Sequence, residues 1–147
     1  MKKKPFVVLM AEDNSHDIVA TQRAWKKNNI VNPLRIVRDG EECMDYLHQR
    51  GNYRKPNSAP PPGFLLLDLK MPKMDGLTVL KEIREDKKLH RLPVIILTTS
   101  QEEGDRIKSY DLGVNAYIVK PVGFANFNEA IKTINIFWEL VELPNKG

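Results

Sequence analysis

Five short apolar runs punctuate the chain: residues 6–11 (FVVLMA), 34–37 (LRIV), 64–67 (FLLL), 94–97 (VIIL) and 116–119 (AYIV). The segments between them are longer, and their apolar positions recur at helical spacing. Ile18, Val19, Gln22 and Trp25 share one side of residues 15–28, and Cys43, Met44 and Leu47 one side of 39–50. Leu77, Leu80, Ile83 and Arg84 do the same in 75–86, and Ile107, Tyr110 and Leu112 in 101–112. Phe127, Ile131, Ile134, Trp138 and Val141 form the stripe of the last segment, 123–143. A strand period that alternates with a helix period predicts βαβ units and a parallel sheet. Four of the runs are apolar without alternation, as strands covered on both faces should be, whereas LRIV suits an edge. Right-handed crossovers leave few topologies, and the order 2-1-3-4-5 with five helices is expected.

Residues 51–62 (GNYRKPNSAPPP) interrupt this rhythm. Four prolines and two asparagines predict an irregular insertion there, either a spacer or a contact surface. The length of 147 residues predicts one domain spanning 1–147, with a core at about 5–141. Charge narrows the function. The net charge is +4, but the basic residues are scattered rather than gathered beside a recognition motif, so no nucleic-acid partner is expected. Cys43 is the single cysteine, so no intrachain disulfide forms and no structural zinc site is expected. Its place on an apolar stripe predicts a core residue. His16, His48 and His90 follow no buried run and are expected at the surface or in capping roles. The apolar run after MKKKP is too short for a secretory signal, and no run approaches a membrane span, so a cytoplasmic protein without a membrane partner is expected.

The residues just past each apolar run carry the chemistry. The first run ends in Glu12 and Asp13, the third in Asp68, the fourth in Thr98 and the fifth in Lys120. Parallel strands bring these side chains to the carboxyl edge of the sheet, where open α/β sheets bind ligands. Two like charges about 4 Å apart repel by roughly 4 kcal/mol at an effective dielectric near 20, so three carboxylates need compensation. Lys120 supplies one positive charge. An all-oxygen site also suits Mg²⁺, with Mn²⁺ as the alternative ion. A carboxylate, a lysine and a hydroxyl around a metal form a phosphoryl-transfer site, with Asp68 as the nucleophile and Thr98 as a donor to the phosphoryl group.

These residues resemble the receiver domains of two-component response regulators, which have a flavodoxin-like fold. The acidic pair Glu12-Asp13 comes after strand one, and the motif LLLDLKMPKMDG contains Asp68, Pro72 and Gly76. Thr98 lies 30 residues past Asp68, and Lys120-Pro121 begins 22 past Thr98. The resemblance implies that Asp68 is the phosphoacceptor for a histidine kinase. It implies a metal held by Asp13, Asp68 and the backbone carbonyl of Lys70, with Glu12 acting partly through water. Thr98 and Lys120 would bind the phosphoryl group, Tyr117 would be the switch aromatic, and the bond before Pro121 would be cis. The signal would pass to a downstream protein target or phosphotransfer protein.

The nearest likeness within the family is to stand-alone regulators paired with phytochrome-type kinases in cyanobacteria. It rests on the AEDN start at residues 11–14, the 51–62 insertion, and Phe137-Trp138 leading to Leu143-Pro144. Lys70 departs from the commoner residue, and its side chain is expected to lean over the pocket. Ile136, Leu140 and Leu143, bordered by Phe137, lie opposite the stripe of the last helix and suggest a homodimer face. The alternatives are a phosphohydrolase of the haloacid dehalogenase type and a phosphorelay intermediate. The hydrolase needs a second aspartate two residues past the nucleophile, where this chain has Lys70. A flavodoxin-like electron carrier needs a phosphate loop where this chain has AEDNSHD. Only six residues come after Val141, so no DNA-binding effector domain is expected.

Overall fold

The computed structural model describes residues 6–114 and 116–120. Within them five parallel strands form one sheet in the order β2-β1-β3-β4-β5, as the sequence predicts. The strands are β1 (Val7–Ala11), β2 (Leu34–Val37), β3 (Pro62–Asp68), β4 (Val94–Thr98) and β5 (Ala116–Val119). Four helices connect them: α1 (Ser15–Lys27), α2 (Gly40–His48), α3 (Gly76–Glu85) and α4 (Gln101–Ser109). The expected fifth helix, with Ile136, Phe137, Leu140 and Leu143, lies outside the described residues, as does the Lys120–Pro121 bond.

Alternate strand residues face opposite layers. Leu9, Ala11, Leu65, Leu67 and Ile96 pack with Cys43 and Met44 of α2, Val79, Leu80 and Ile83 of α3, and Ile107 of α4. Val8, Met10, Phe64, Leu66, Ile95 and Leu97 pack with Ala24 and Trp25 of α1 on the other face. Strands β1, β3 and β4 are therefore buried on both sides, and β2 sits at one edge as expected. β5, whose run also lacks alternation, forms the other edge, with Tyr117 and Ile118 half-buried and Val119 exposed. Two helix stripes need correction. Val19 and Tyr110 are exposed, while Thr21 and Ala24 are buried beside Ile18 and Trp25. Thr21 fits the apolar layer because its hydroxyl donates to the Asp17 carbonyl one turn back, 2.8 Å away.

The insertion is more ordered than its prolines suggest. Gly51–Tyr53 form a single 3₁₀ turn, and β3 begins at Pro62 rather than at Phe64. Proline is tolerated at the first position of a strand, where the ladder can do without its N–H. The register of β1 against β3 shifts there, between Val7 and Val8. The Tyr46 hydroxyl donates to the Pro60 carbonyl (2.8 Å) and the Gln49 amide to the Ala59 carbonyl (3.0 Å). The Tyr53 hydroxyl donates to Glu42 (2.6 Å), and the Tyr46 and Tyr53 rings meet edge to face at 5.1 Å.

Each helix starts at a side-chain cap just beyond a strand end. Asn14, Asp39, Asp75 and Ser100 accept the amides of Asp17, Glu42, Thr78 and Glu103 at 3.0, 2.7, 2.9 and 3.1 Å respectively. Every such cap satisfies an amide that would otherwise lack a partner. The four caps lie along the carboxyl edge of the sheet, so helix starts and strand-end side chains share one rim. Gly76 brings α3 close to that rim, because a Cβ there would collide with the backbone of Asp68 and Leu69.

Candidate functional site

The rim assembles Glu12, Asp13 and Asp68, with one carboxylate oxygen from each lying within 4.8 Å of the others. Glu12 and Asp68 are buried and Asp13 is exposed. The Lys120 ammonium lies 2.7 Å from Glu12 Oε1, 3.0 Å from Asp17 Oδ2 and 3.3 Å from Asp68 Oδ1. The backbone fixes where Lys120 projects, since its N–H donates to the Thr98 carbonyl at 2.6 Å and extends the β4–β5 ladder by one residue. Asp17, in the first turn of α1, is a partner that the strand-end pattern does not reveal.

Burial dominates the electrostatics. It pushes Glu12 up to about 7 against the opposing pull of the Lys120 hydrogen bond, and the Asp68 charge adds to the rise. Burial also raises Asp68, opposed by the Lys120 charge and by hydrogen bonds from Glu12, Lys120 and the Lys70 backbone. Burial alone would lower Lys120. Its hydrogen bonds to Glu12 and Asp17 and the charges of Asp68 and Glu12 outweigh that and leave it raised, so the ammonium stays charged.

The donor set fits a hard divalent cation. All its ligands are oxygens. Glu12 Oε1 is buried, and the cation that faces it is the Lys120 ammonium at 2.7 Å. Beside the acids opens a cleft of about 620 Å³, lined in part by Asp13, Lys70, Glu103 and Arg106. Lys70 is exposed and lines this cleft.

Thr98 is buried at the end of β4. Its hydroxyl lies 2.5 Å from Glu103 Oε1 and 3.2 Å from the Ser100 carbonyl. Tyr117 lies half-buried against α4, where a Cβ at Gly104 would run into its ring, and its hydroxyl donates to Asp105 at 2.5 Å. Glu103 and Asp105 do not stand out in the strand-end pattern either. The spacing Ser100-x-x-Glu103, a capping-box signature, is the signal that marks the first. Lone histidines behave as expected: His16 is exposed, His48 lies 3.4 Å from Asp86, and His90 turns toward the Asp86 and Lys87 carbonyls. Cys43 is fully buried, and its thiol is pushed up from 9.0 to about 12, chiefly by burial.

The sequence profile of the response regulator receiver domain matches residues 8–132. The chain belongs to the response regulator receiver family. Receiver domains accept a phosphoryl group on an aspartate and bind Mg²⁺ or Mn²⁺ at an acidic pocket. They are signalling proteins rather than conventional enzymes, and the phosphohydrolase reading finds no support. This receiver is 41% identical to the response regulator Rcp1 of Synechocystis sp., covering 95% of this chain and 94% of that protein. It is 38% identical to the phosphorylated cyanobacterial phytochrome response regulator RcpA, with a TM-score of 0.84 over 97% of this chain and 100% of that one. It is also 38% identical to the Mn²⁺-bound form of Rcp1, with a TM-score of 0.80, covering 97% of this chain and 98% of that one. Among the described residues no helix is long and apolar enough to cross a membrane.

Proposed function

We propose that this receiver takes a phosphoryl group from a phosphohistidine of a phytochrome-type histidine kinase onto Asp68, and passes the signal to a protein partner by a change of shape. The observation that carries this is the convergence of Asp68, Glu12 and Asp13 within 4.8 Å, with the Lys120 ammonium 3.3 Å from Asp68 Oδ1. Asp68 attacks phosphorus through a carboxylate oxygen. The O–P bond forms as the N–P bond to the kinase histidine breaks, and the released imidazole recovers its proton from water.

With Glu12 acting partly through water, Asp13 and Asp68, together with the backbone carbonyl of Lys70, would hold the divalent cation. Once bound, it neutralises charge on the transferring oxygens. Lys120 stabilises the same charge from the β5 side and keeps the Asp68 carboxylate ionised for attack. Thr98 and Tyr117 are the residues that would respond to the new phosphoryl group. The likeness to phytochrome response regulators supports the kinase class, and the acidic pocket supports the ion.

Incubation with acetyl phosphate and Mg²⁺, followed by intact-mass measurement, tests the chemistry. The wild type gains one acid-stable, hydroxylamine-labile phosphoryl group, and Asp68→Asn gains none. A phosphoryl group that persists in Asp68→Asn would overturn the assignment.

A further inference from the structure

We propose that Glu103 is a positioning residue that competes with the phosphoryl group for the single proton of the Thr98 hydroxyl, and so holds the unphosphorylated form in place. The inference rests on the reading of Asp68 as phosphoacceptor. The Thr98 hydroxyl sits inside the N-terminal cap of α4. Its oxygen receives the Ser100 amide at 3.3 Å, and its proton points to Glu103 Oε1 at 2.5 Å, with the Ser100 carbonyl a weaker acceptor at 3.2 Å. Ser100 Oγ in turn accepts the Glu103 amide at 3.1 Å. In an ordinary capping box the Glu side chain would reach back to the cap amide directly. Here the threonine hydroxyl is inserted between them.

Among the described residues Glu103 has little else to neutralise it. Arg106 is its ion-pair neighbour at 3.9 Å, and that side chain is largely exposed, a geometry that contributes little. The hydroxyl bond is therefore the strong interaction of this carboxylate, because a short O–H···O⁻ bond is charge-assisted. A hydroxyl has one proton to give. A phosphoryl group on Asp68 can draw that proton only by taking it from Glu103.

The next two residues of the same turn hold the other switch group. Gly104 makes room for the Tyr117 ring, and Asp105 accepts its hydroxyl. Opening the Thr98–Glu103 bond thus loosens the turn of α4 on which Tyr117 rests.

The test titrates the full chain with fluoroberyllate and Mg²⁺, using this phosphoryl mimic on the wild type, Glu103→Gln, Glu103→Ala, Thr98→Val and Thr98→Val/Glu103→Gln. Glu103→Gln should bind the mimic about tenfold more tightly, since a neutral amide competes less well than a carboxylate. Glu103→Ala should move in the same direction, which guards against a fault peculiar to one variant. In the Thr98→Val background the Glu103→Gln gain should vanish to within about twofold, a non-additivity that a general electrostatic or folding effect would not produce. Unchanged or weaker binding by Glu103→Gln, or an equal gain without the threonine hydroxyl, would overturn the proposal. Binding by the wild type that Asp68→Asn abolishes upholds the site assignment whatever Glu103 does. Failure of the wild type itself to bind would overturn the site reading, and the competition with it.

Discussion

Two half-buried cations mark opposite edges of the sheet, and they are surrounded very differently. Lys120, at the carboxyl edge, is ringed by the carboxylates of Glu12, Asp17 and Asp68. Arg84, at the end of α3 on the amino edge, meets carbonyls instead. Its guanidinium donates to Leu112 (2.6 Å), Leu92 (2.7 Å), Gly113 (2.9 Å) and His90 (3.1 Å). Burial lowers Arg84, and the partners of Lys120 raise it against burial. The contrast separates a fastener from an exchangeable charge. Neutral dipoles held in a planar fork tie the loops before β4 and β5 to α3, and only a guanidinium has that geometry. The carboxylates around Lys120 are charges in excess, which a metal or a phosphoryl group can rearrange.

The largest expected effect is on the fastener. Arg84→Ala should lower unfolding stability by about 3 kcal/mol, because it strands several carbonyls that bonded a charged donor. Arg84→Lys should recover little of that loss. Urea unfolding measures it, and the stabilisation by Mg²⁺ should be unaltered in both variants. A loss below about 1 kcal/mol would show that water replaces the guanidinium cheaply and would remove the contrast.

A smaller effect of opposite sign is expected at the acidic edge. Asp13→Asn removes a negative charge from the crowded acidic rim, at an exposed position. Without Mg²⁺ it should stabilise the fold by about 1 kcal/mol, the repulsion of two charges at such a spacing in a water-like medium. It should also lose most of the stabilisation that Mg²⁺ gives the wild type. Destabilisation by Asp13→Asn would mean that the exposed carboxylate is held by interactions stronger than the repulsion.

The smallest effect probes the packed layer between the two edges. The Cys43 thiol has a folded pKa raised from 9.0 to about 12. Its contribution is therefore intact below the unfolded value and is lost as pH rises toward the folded one. At about pH 9.5 the wild type should have lost just under 1 kcal/mol that Cys43→Ala keeps. Parallel alkaline stability curves for the two proteins would argue against a sealed thiol.

Much of this was legible in the sequence where a residue's role derives from its place in a strand. The places of Asp68, Thr98 and Lys120 at the rim could be read because parallel strands deliver their terminal side chains to one edge. Helix partners were harder to see. Asp17 reaches Lys120 from one turn inside α1, and nothing in a 3.6-residue period says which strand end a polar side chain will meet. Arg84 fell on an apolar stripe by spacing alone, and its carbonyl partners come from two loops whose paths only the fold determines. Val19 was misplaced because a β-branched residue at the border of a stripe counts as apolar by type, although the layer filled with Thr21 and Ala24. The insertion looked irregular because prolines exclude ladders, yet they do not exclude anchoring through the carbonyls of Ala59 and Pro60.

That anchoring has a practical consequence. Residues 54–57 are exposed, while the residues on either side are tied to α2 through Tyr53 at one end and through Ala59 and Pro60 at the other. Both stems are clamped, so a peptide epitope or a dye grafted onto this tip would hang from a rigid mount. The acidic rim would not feel its weight.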